Sequence, residues 1–282
     1  MPDNENFSQT VTVVIPLYRN NLSAIEQWAI ERNRRVLSPQ RDVAIVCPDE
    51  LDLSPLDELL GITSGRCRVE RFAHSFFEGR QGYNQLMLSR QFYSRFKQSQ
   101  FIAIIQTDVA LFHDSLDYWC SLDYDYVGAP WLPARNEIEG WNVPKRAMYQ
   151  IRCGWARFRG GFHSVQLKWK VGNGGFSLRR VEAMLRVLDK HPAEIVEMAK
   201  DSSHNSNFED VVWSVRVNEL WPNSLRIPDY TTAAHFSIEG HPEMAMSLTG
   251  GQLPMGTHAF YRHRNRKFWS KFLDFTKIDH NI

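Results

Sequence analysis

FIAIIQTDVALF, residues 101–112, is the stretch of sequence that decides the fold class. Its first five residues are apolar, and four of them are β-branched or aromatic. A run of this length is too short for a buried helix and is typical of a buried strand in a parallel or mixed sheet. The polar tip Gln106-Thr107-Asp108 follows directly. Open α/β sheets bind ligands beyond the carboxyl ends of their strands, so Asp108 is a candidate binding group. From this stretch alone, a cap on the next turn is an equal alternative.

Strands and helices alternate over the first 112 residues. Strands are predicted at Val11–Tyr18, Asp42–Cys47 and Arg68–Phe72. Helices are predicted at Asn21–Leu37, from a cap at Ser54 or Asp52 through Leu60, and at Gln81–Phe96. This order is typical of a right-handed, parallel α/β unit. The sequence therefore predicts a single α/β domain with a Rossmann-like, mixed but mainly parallel central sheet flanked by helices.

The second half of the chain departs from this regular order. A short strand is predicted at Tyr124–Trp131, and residues 132–170 then carry eight Lys or Arg against two Glu, with Trp141, Trp155 and Trp169. A long ordered loop in a compact domain is usually functional, although a solvated basic excursion is the alternative. Val171–Arg180 (VGNGGFSLRR) is predicted to lead into an amphipathic helix through Leu188.

Composition narrows the class of protein. The chain has 282 residues, 43% of them hydrophobic and 23% charged, which is ordinary for a globular protein with a sizeable core. A net charge of +1 gives no reason to expect a nucleic-acid partner. The four cysteines are far apart and form no C-x-x-C pair, which indicates free thiols in a reducing compartment. With no signal peptide and no apolar run of about 20 residues, we expect a cytoplasmic protein, free or peripheral at the inner face of the membrane.

Three features can carry chemistry if the sheet forms as predicted: Asp108 at a strand end, Glu209-Asp210 before a helical VVWSVRV, and His258 in a Gly-containing loop. A carboxylate and an imidazole, completed by diphosphate oxygens and water, suit Mn²⁺ or Mg²⁺. A second carboxylate nearby can accept the proton of an attacking hydroxyl. Taken singly, a histidine is more often structural and an acidic pair is often only a helix cap.

The segment Gly172-Asn173-Gly174-Gly175 does not match the known nucleotide loops. Ser177 stands where the third glycine of the dinucleotide fingerprint should be, and the sequence has no P-loop Gly-Lys-Ser/Thr. Two adjacent glycines suit a backbone that passes close to a ligand, and they suit a tight turn almost as well.

The order of these segments resembles a mostly bacterial, poorly characterised family of glycosyltransferases with the GT-A fold. The resemblance covers residues 11–262 and rests on VVIPLYR, YNQLMLS, the QTD strand end, YDYVGAPW, VGNGGFSLRR, EDVVWSV, HFSIE and PMGTHAF. Its most specific parts are GNGGFSLR and the late Gly-x-His. The order is also similar to that of inverting GT-A enzymes with an Asp-x-Asp, a Gly-Gly segment, a Glu-Asp-Val and a late histidine.

The resemblance implies roles for particular residues. Asp210 would be the general base and Glu209 would contact donor or acceptor, while Asp108 and His258 would bind the metal. Asp108 would take the last position of the Asp-x-Asp motif, where this sequence departs from the pattern because its first position is Gln106. The implied nucleotide and donor contacts are Pro16, Leu17, Tyr18, Arg19, Asn84, Gln106, Thr107, Asp108, Asn173, Gly174 and Gly175.

The implied activity is metal-dependent transfer of a sugar from a nucleotide-diphosphate donor, with UDP-sugars favoured, to a hydroxyl of a glycan or lipid-linked glycan in polysaccharide biosynthesis. Trp131 and Trp155 are the predicted acceptor contacts, because Trp faces stack on sugar rings. The predicted domain spans residues 1–262, with a nucleotide-binding half at about 11–131, the basic insertion at about 132–170 and an acceptor-side half at about 171–262. The basic, aromatic tail 263–282 is predicted either to lie on a membrane surface or to dock on the domain.

Two other functions compete with glycosyl transfer. A sugar-phosphate nucleotidyltransferase shares a similar sheet and metal, but it needs a Gly-rich basic loop after the first strand, and PLYRNN does not supply one. A non-catalytic glycan-binding protein derived from such an enzyme would explain Gln106. The presence of Asp108, Asp210 and His258 argues against that alternative.

Overall fold

The computed structural model describes residues 10–133, 167–200 and 207–279, together with the single positions Met148, Ile151 and Trp155. Most of the predicted basic insertion, including Trp141 and Cys153, lies outside the described residues. The three cysteines in the described part, Cys47, Cys67 and Cys120, are buried and free, as predicted.

Nine strands form two sheets in the described residues. The strands are β1 (Val11–Pro16), β2 (Asp42–Pro48), β3 (Arg68–Phe72), β4 (Phe101–Ile105), β5 (Val109–Leu111), β6 (Tyr126–Gly128), β7 (Phe176–Arg180), β8 (Ser237–Ile238) and β9 (Gly256–His258). The central sheet has the order β3-β2-β1-β4-β7-β6, and β7 runs antiparallel to both of its neighbours. The other five strands point the same way, so the predicted mixed, mainly parallel sheet is confirmed.

Helices cover the sheet and connect its strands. They are α1 (Ala24–Val36), α2 (Asp57–Leu60), α3 (Gly79–Met87), α4 (Arg90–Ser94), α5 (Leu116–Ser121), α6 (Val181–Lys190), α7 (Pro192–Lys200), α8 (Glu209–Val211), α9 (Val217–Leu220), α10 (Tyr230–Phe236), α11 (Pro242–Leu248), α12 (His263–Trp269) and α13 (Thr276–Asp279). A π-helical turn at Val212–Arg216 joins α8 to α9.

Strand β4 is buried on both faces, as its uninterrupted apolar sequence predicts. Ile102 and Ile104 belong to a core with residues of α4, α6 and the π-helical turn. Phe101 and Ala103 belong to the core on the opposite face, with residues of α5 and α10. Successive side chains of a strand point to opposite faces, so one apolar run serves two cores.

One predicted helix differs in the structure, and the strand β7 was not predicted. Residues 101–105 form β4 as predicted, and after the Gln106–Asp108 tip the chain enters a second, three-stranded sheet of order β5-β9-β8. The predicted helix Gln81–Phe96 is two helices, because the Ser89 side chain accepts a hydrogen bond from Phe92 N and starts α4 anew. VGNGGFSLRR leads directly into α6, as predicted, but its last five residues form the unpredicted strand β7 between β4 and β6.

The C-terminal tail docks on the domain in its described part. Trp269, Leu273, Phe275 and Ile278 are each at most 5% exposed. The ring centroid of Phe275 lies 5.8 Å from that of Trp28 on α1. These apolar side chains are inside a core, which agrees with the docked alternative for the tail, although Phe272 is 41% exposed. None of the helices in the described ranges combines the length and the apolar composition needed to cross a bilayer.

Candidate active site

A cleft of about 830 Å³ opens beyond the carboxyl ends of β1 and β4. Its walls come from the β1–α1 connection, α3, the tip after β4 and the loop after β9. The lining residues are Pro16, Tyr18, Arg19, Ser23, Ile25, Glu26, Phe77, Gly79, Arg80, Tyr83, Gln106, Thr107, Asp108, Ala259, Tyr261 and Arg262. The cleft therefore contains six of the predicted nucleotide or donor contacts, at the edge where parallel strands bind ligands.

The end of β1 is divided between the cleft and the core. Pro16, Tyr18 and Arg19 line the cleft, and Tyr18 is 57% exposed. Leu17 is only 1% exposed and packs in the core on the α1 and α2 side. Its side chain therefore does not reach the predicted nucleotide site, as expected where side chains alternate about a strand end.

Glu26 is a cleft residue that sequence reasoning missed. Ser23 and Glu26 form the capping box that starts α1. The Glu26 carboxylate also accepts hydrogen bonds from Arg19 at 2.6 Å and from the Thr107 hydroxyl at 2.9 Å. Burial opposes ionisation of Glu26, but the Ser23 and Thr107 hydrogen bonds and the Arg19 charge outweigh it and lower its pKa. The Ser-x-x-Glu spacing was the signal available in the sequence.

Asp108 and His258 are brought together by the small sheet. Strands β5 and β9 are antiparallel with Val109 opposite His258, and Ala259 N donates to Asp108 O at 3.0 Å. His258 Nε2 lies 3.0 Å from Asp108 Oδ1. Burial disfavours the imidazolium, but the hydrogen bond and charge of Asp108 and the nearby Glu239 outweigh it and raise the pKa of His258 to about 9.

This pair fits an open metal site with two protein ligands. A carboxylate oxygen and an imidazole nitrogen are already adjacent, and the Asp108 side chain is 39% exposed towards the cleft. Among the described residues, no group of three or more His, Cys, Asp or Glu side chains is arranged to hold a metal by itself. Gln106, which also lines the cleft, donates a hydrogen bond to the Tyr83 hydroxyl at 3.3 Å. Any ion held by Asp108 and His258 would need further oxygen ligands from outside the protein.

The Gly174-Gly175 pair is required by contacts with protein side chains. A Cβ at Gly174 would lie 1.9 Å from Glu209 Oε1, and one at Gly175 would lie 2.4 Å from His258 Nε2. The preceding Asn173 has a positive φ of 52°. The two glycines therefore let one segment pack against the Asp108–His258 side and the Glu209–Asp210 side at once.

Asp210 lies in the first turn of α8 and keeps part of its surface open to solvent. Its carboxylate accepts hydrogen bonds from Val211 N at 2.8 Å and from Gly174 N at 3.4 Å. Burial of the carboxyl group, followed by the charge of Glu209, raises the pKa of Asp210 to about 7 against these two hydrogen bonds. A carboxylate with this pKa exchanges protons readily near neutral pH.

Glu209 does not face the cleft. Its carboxylate forms a two-pronged ion pair with Arg179, with Oε1 3.0 Å from Nη2 and Oε2 2.9 Å from Nη1. Asn84 is 2% exposed, and its Oδ1 accepts a hydrogen bond from Glu209 N at 3.2 Å. Both residues support α8 from inside the protein, whereas the sequence had suggested donor or acceptor contacts for them.

Glu239 is a second site residue that sequence reasoning missed. It follows β8, and its carboxylate accepts a hydrogen bond from Asn173 Nδ2 at 2.5 Å. Its Oε1 lies 3.5 Å from His258 Nδ1, which is within ion-pair distance but without hydrogen-bond geometry. Glu239 thus connects the Gly-Gly segment to His258. An acidic residue at the end of HFSIE was the only signal in the sequence.

The two predicted acceptor residues differ in their setting. Trp131 packs on the backbone of Gly172, where an added Cβ would lie 1.8 Å from the indole ring. Trp131 is therefore held beside the segment in which Gly174 N donates a hydrogen bond to Asp210. Trp155 is 59% exposed, and most of its neighbours in sequence lie outside the described residues.

Solved structures confirm the fold. An active-site mutant of LgtC matches with a TM-score of 0.55 at 13% identity, covering 96% of this chain and 95% of that one. Galactosyltransferase LgtC in complex with donor and acceptor sugar analogues matches with a TM-score of 0.54 at 12% identity, covering 96% of both chains. The bifunctional glycosyltransferase WbbM matches with a TM-score of 0.53 at 10% identity, and this match covers 93% of this chain but 47% of WbbM. The predicted GT-A fold is confirmed by these matches.

Comparison at the level of sequence gives a family. No curated protein sequence matches the chain. One family model matches residues 66–258, a range that begins before β3 and ends on His258. This match covers more than half of the chain, which therefore belongs to the family described as "Protein of unknown function (DUF5672)".

Proposed function

We propose that the protein is a glycosyltransferase that moves a sugar from a nucleoside-diphosphate donor to a hydroxyl group of a glycan or lipid-linked glycan. The observation that carries this proposal is the placement of Asp108 and His258 on one side of Gly174-Gly175 and of Asp210 on the other. The GT-A fold, with its cleft at the strand ends, supports the same conclusion. Polysaccharide assembly at the cytoplasmic face of a membrane is the setting we infer for such an acceptor.

The cleft suits a nucleotide with a charged diphosphate. Phe77, Tyr83 and the exposed Tyr18 offer ring faces for a base, and we propose uracil as that base, in a UDP-sugar donor. Arg80 and Arg262 line the cleft, and Arg262 Nη1 lies 3.7 Å from Glu239 Oε1 at its edge, whereas the charge of Arg19 is balanced by Glu26 at 2.6 Å. A diphosphate lying between these arginines would point its sugar towards Gly174 and Gly175.

We infer that Asp108 and His258 hold Mn²⁺ or Mg²⁺. When bound, such an ion would neutralise negative charge on the diphosphate as it leaves. The protein's own contribution is to keep the two ligands at adjacent positions of paired strands, which needs no rearrangement of the backbone.

Asp210 is the proposed general base. It takes the proton of the acceptor hydroxyl, whose oxygen forms a bond to the anomeric carbon while the bond from that carbon to the diphosphate oxygen breaks. With one base on the side opposite the leaving group, the anomeric configuration is inverted. General-base catalysis of this kind typically contributes about 10²–10⁴ in rate. We propose that Trp131, which packs on Gly172, stacks on an acceptor sugar ring and that Trp155 extends that contact.

A donor-hydrolysis screen tests the proposal. Purified protein is incubated with a panel of nucleotide sugars, with and without Mn²⁺, and the released nucleoside diphosphate is measured. Slow, metal-dependent release from one donor that is lost in Asp108→Ala would support glycosyl transfer. No release and no metal-dependent nucleotide binding would reject it in favour of a glycan-binding protein. Binding without release would be followed by the same assay with candidate acceptors.

A further inference from the structure

The most unusual buried group outside the cleft is the guanidinium of Arg179 on β7. Arg179 is 0% exposed, and its Nη1 and Nη2 atoms pair with the two carboxylate oxygens of Glu209. Its Nε donates to the Ser177 hydroxyl at 3.1 Å, and its Nη1 also donates to the Tyr93 hydroxyl at 3.0 Å. The guanidinium carbon lies 5.4 Å from the centre of the Tyr126 ring. Arg179 is thus held from all sides by protein atoms.

A buried ion pair of this kind is a weak source of stability. The loss of hydration of both ions offsets most of their attraction, and apolar residues of similar volume often serve equally well. Residues 176–180 form a strand between two others, a position at which side chains buried on both faces of a sheet are normally apolar. The location of the pair, one residue from Asp210, therefore requires another explanation.

The pair fixes the backbone that carries Asp210. Glu209 is held through its side chain by Arg179 and through its backbone N–H by Asn84 Oδ1. Gly174 packs against Glu209 Oε1 and donates its own N–H to Asp210. The position of Asp210 relative to the Gly-Gly segment is therefore set by the ion pair.

We propose that Arg179 and Glu209 act as a positioning pair for Asp210, in which the ion pair fixes the first turn of α8 and places one negative charge beside the Asp210 carboxyl group. As a statement about catalysis, this inference rests on the proposed function. The charge of Glu209 adds to burial in making Asp210 a stronger base. The other charged or titratable groups that act on Asp210 are Glu239 after β8 and Tyr126 on β6, while Gly174 N and Val211 N act in the opposite direction.

The test measures the titration of Asp210 directly, without any donor. Aspartate labelled with ¹³C at the γ-carbon is incorporated, and the Asp210 resonance is assigned by its loss in Asp210→Asn. The main variant is Arg179→Met with Glu209→Gln, which removes both charges at nearly constant volume. Arg180→Met is the matched control, because Arg180 is the next residue of β7 and pairs with Asp123 and Asp125 near the surface.

We expect the titration midpoint of Asp210 to fall by up to about one pH unit in the double variant, because the charge of the adjacent Glu209 acts on Asp210 more strongly than the opposite charge of Arg179 that is removed with it. The single variant Glu209→Gln should give a shift of the same sign, and it provides the measurement if the double variant does not fold. Arg180→Met should leave the midpoint unchanged. An unchanged midpoint in a folded variant that lacks the Glu209 charge would overturn the inference and leave the pair a purely structural role.

The titration midpoint of Asp210 tests the positioning pair independently of the proposed function. A shifted midpoint in a protein that hydrolyses no donor would keep the positioning pair and reject glycosyl transfer. Where turnover is present, the acid limb of its pH profile should move to lower pH in parallel with the midpoint. A midpoint and a turnover that are both unchanged in the variants would reject the positioning pair and keep glycosyl transfer.

Discussion

Gly174→Ala should destabilise the protein through a single methyl group. The added Cβ would lie 1.9 Å from Glu209 Oε1 and 3.0 Å from Arg179 Nη2. The tip of a glutamate side chain can normally move away from such a contact. Glu209 cannot do so, because it is 4% exposed and both of its carboxylate oxygens are paired with Arg179. Either the ion pair breaks or the Gly-Gly segment shifts away from Asp210.

The magnitude follows from these two options. Overpacking a filled core costs about 1–3 kcal/mol, and breaking a buried ion pair costs about 3–5 kcal/mol. The protein will take the cheaper option, so we expect a loss of about 2 kcal/mol in the free energy of unfolding, the middle of the overpacking range. For a domain of this size that corresponds to a decrease in melting temperature of roughly 4–8 °C.

Calorimetry or circular dichroism on matched variants measures this decrease. Gly240→Ala is the control, because a Cβ there meets nothing within 4 Å and Gly240 has no positive φ. It should melt within about 2 °C of the unmodified protein, as surface substitutions usually do. If Gly174→Ala melts as high as Gly240→Ala, the close packing of Gly174 on the ion pair is not a constraint and the argument fails.

Three further perturbations test the site and the tail. Asp210→Asn should lower transfer by about 10²–10⁴ with donor binding retained, as measured by release of nucleoside diphosphate and by calorimetric titration. The pKa of Asp210 in the folded protein, about 7, exceeds its unfolded value, so ionisation of Asp210 lowers the stability of the protein as pH rises towards 7. The Asp210→Asn variant lacks this penalty and should therefore raise the melting temperature more at pH 8 than at pH 5. His258→Ala should abolish Mn²⁺-dependent binding of a nucleoside diphosphate, whereas His74→Ala, an exposed histidine, should not; equal binding by both would exclude His258 as a ligand. Ending the chain at Arg262 removes four buried apolar side chains worth about 1.5–3 kcal/mol each and should give insoluble protein; a soluble, folded product would show that the tail is dispensable for the core.

The sheet could be predicted from the sequence because its strands are short, apolar and regularly spaced. β3 was predicted with its observed bounds, and β1, β2 and β4 within a few residues. β7 was missed because its sequence FSLRR carries two arginines, which argue against a central strand. Arg179 can lie there only because Glu209, thirty residues later, supplies a buried partner, and local sequence contains no information on that contact.

The site was partly predictable for the same reason. Asp108 follows strand β4, and Asp210 lies in the first turn of α8. A polar residue is easily recognised at such a position, because the apolar periodicity of the strand or helix stops there. Glu26 and Glu239 were missed because each reads as an ordinary cap or surface acid in sequence. Their importance comes from contacts with Thr107 and with Asn173, which lie 81 and 66 residues away. The resemblance, and not periodicity, placed His258 beside Asp108.

The three-residue pairing of β5 with β9 has a consequence for how the protein is made. Asp108 and His258 become neighbours only when Val109 pairs with His258, across a separation of about 150 residues. Contacts so distant along the chain form late, after the loops between them have closed. A nascent chain can therefore form β1 to β4 and still lack the contact between Asp108 and His258, and the cleft residues after β9, until synthesis has passed that strand. If Asp108 and His258 hold the metal as proposed, a fragment that ends before His258 should show no metal-dependent donor binding, so such binding would report on chains that extend past β9 and have folded.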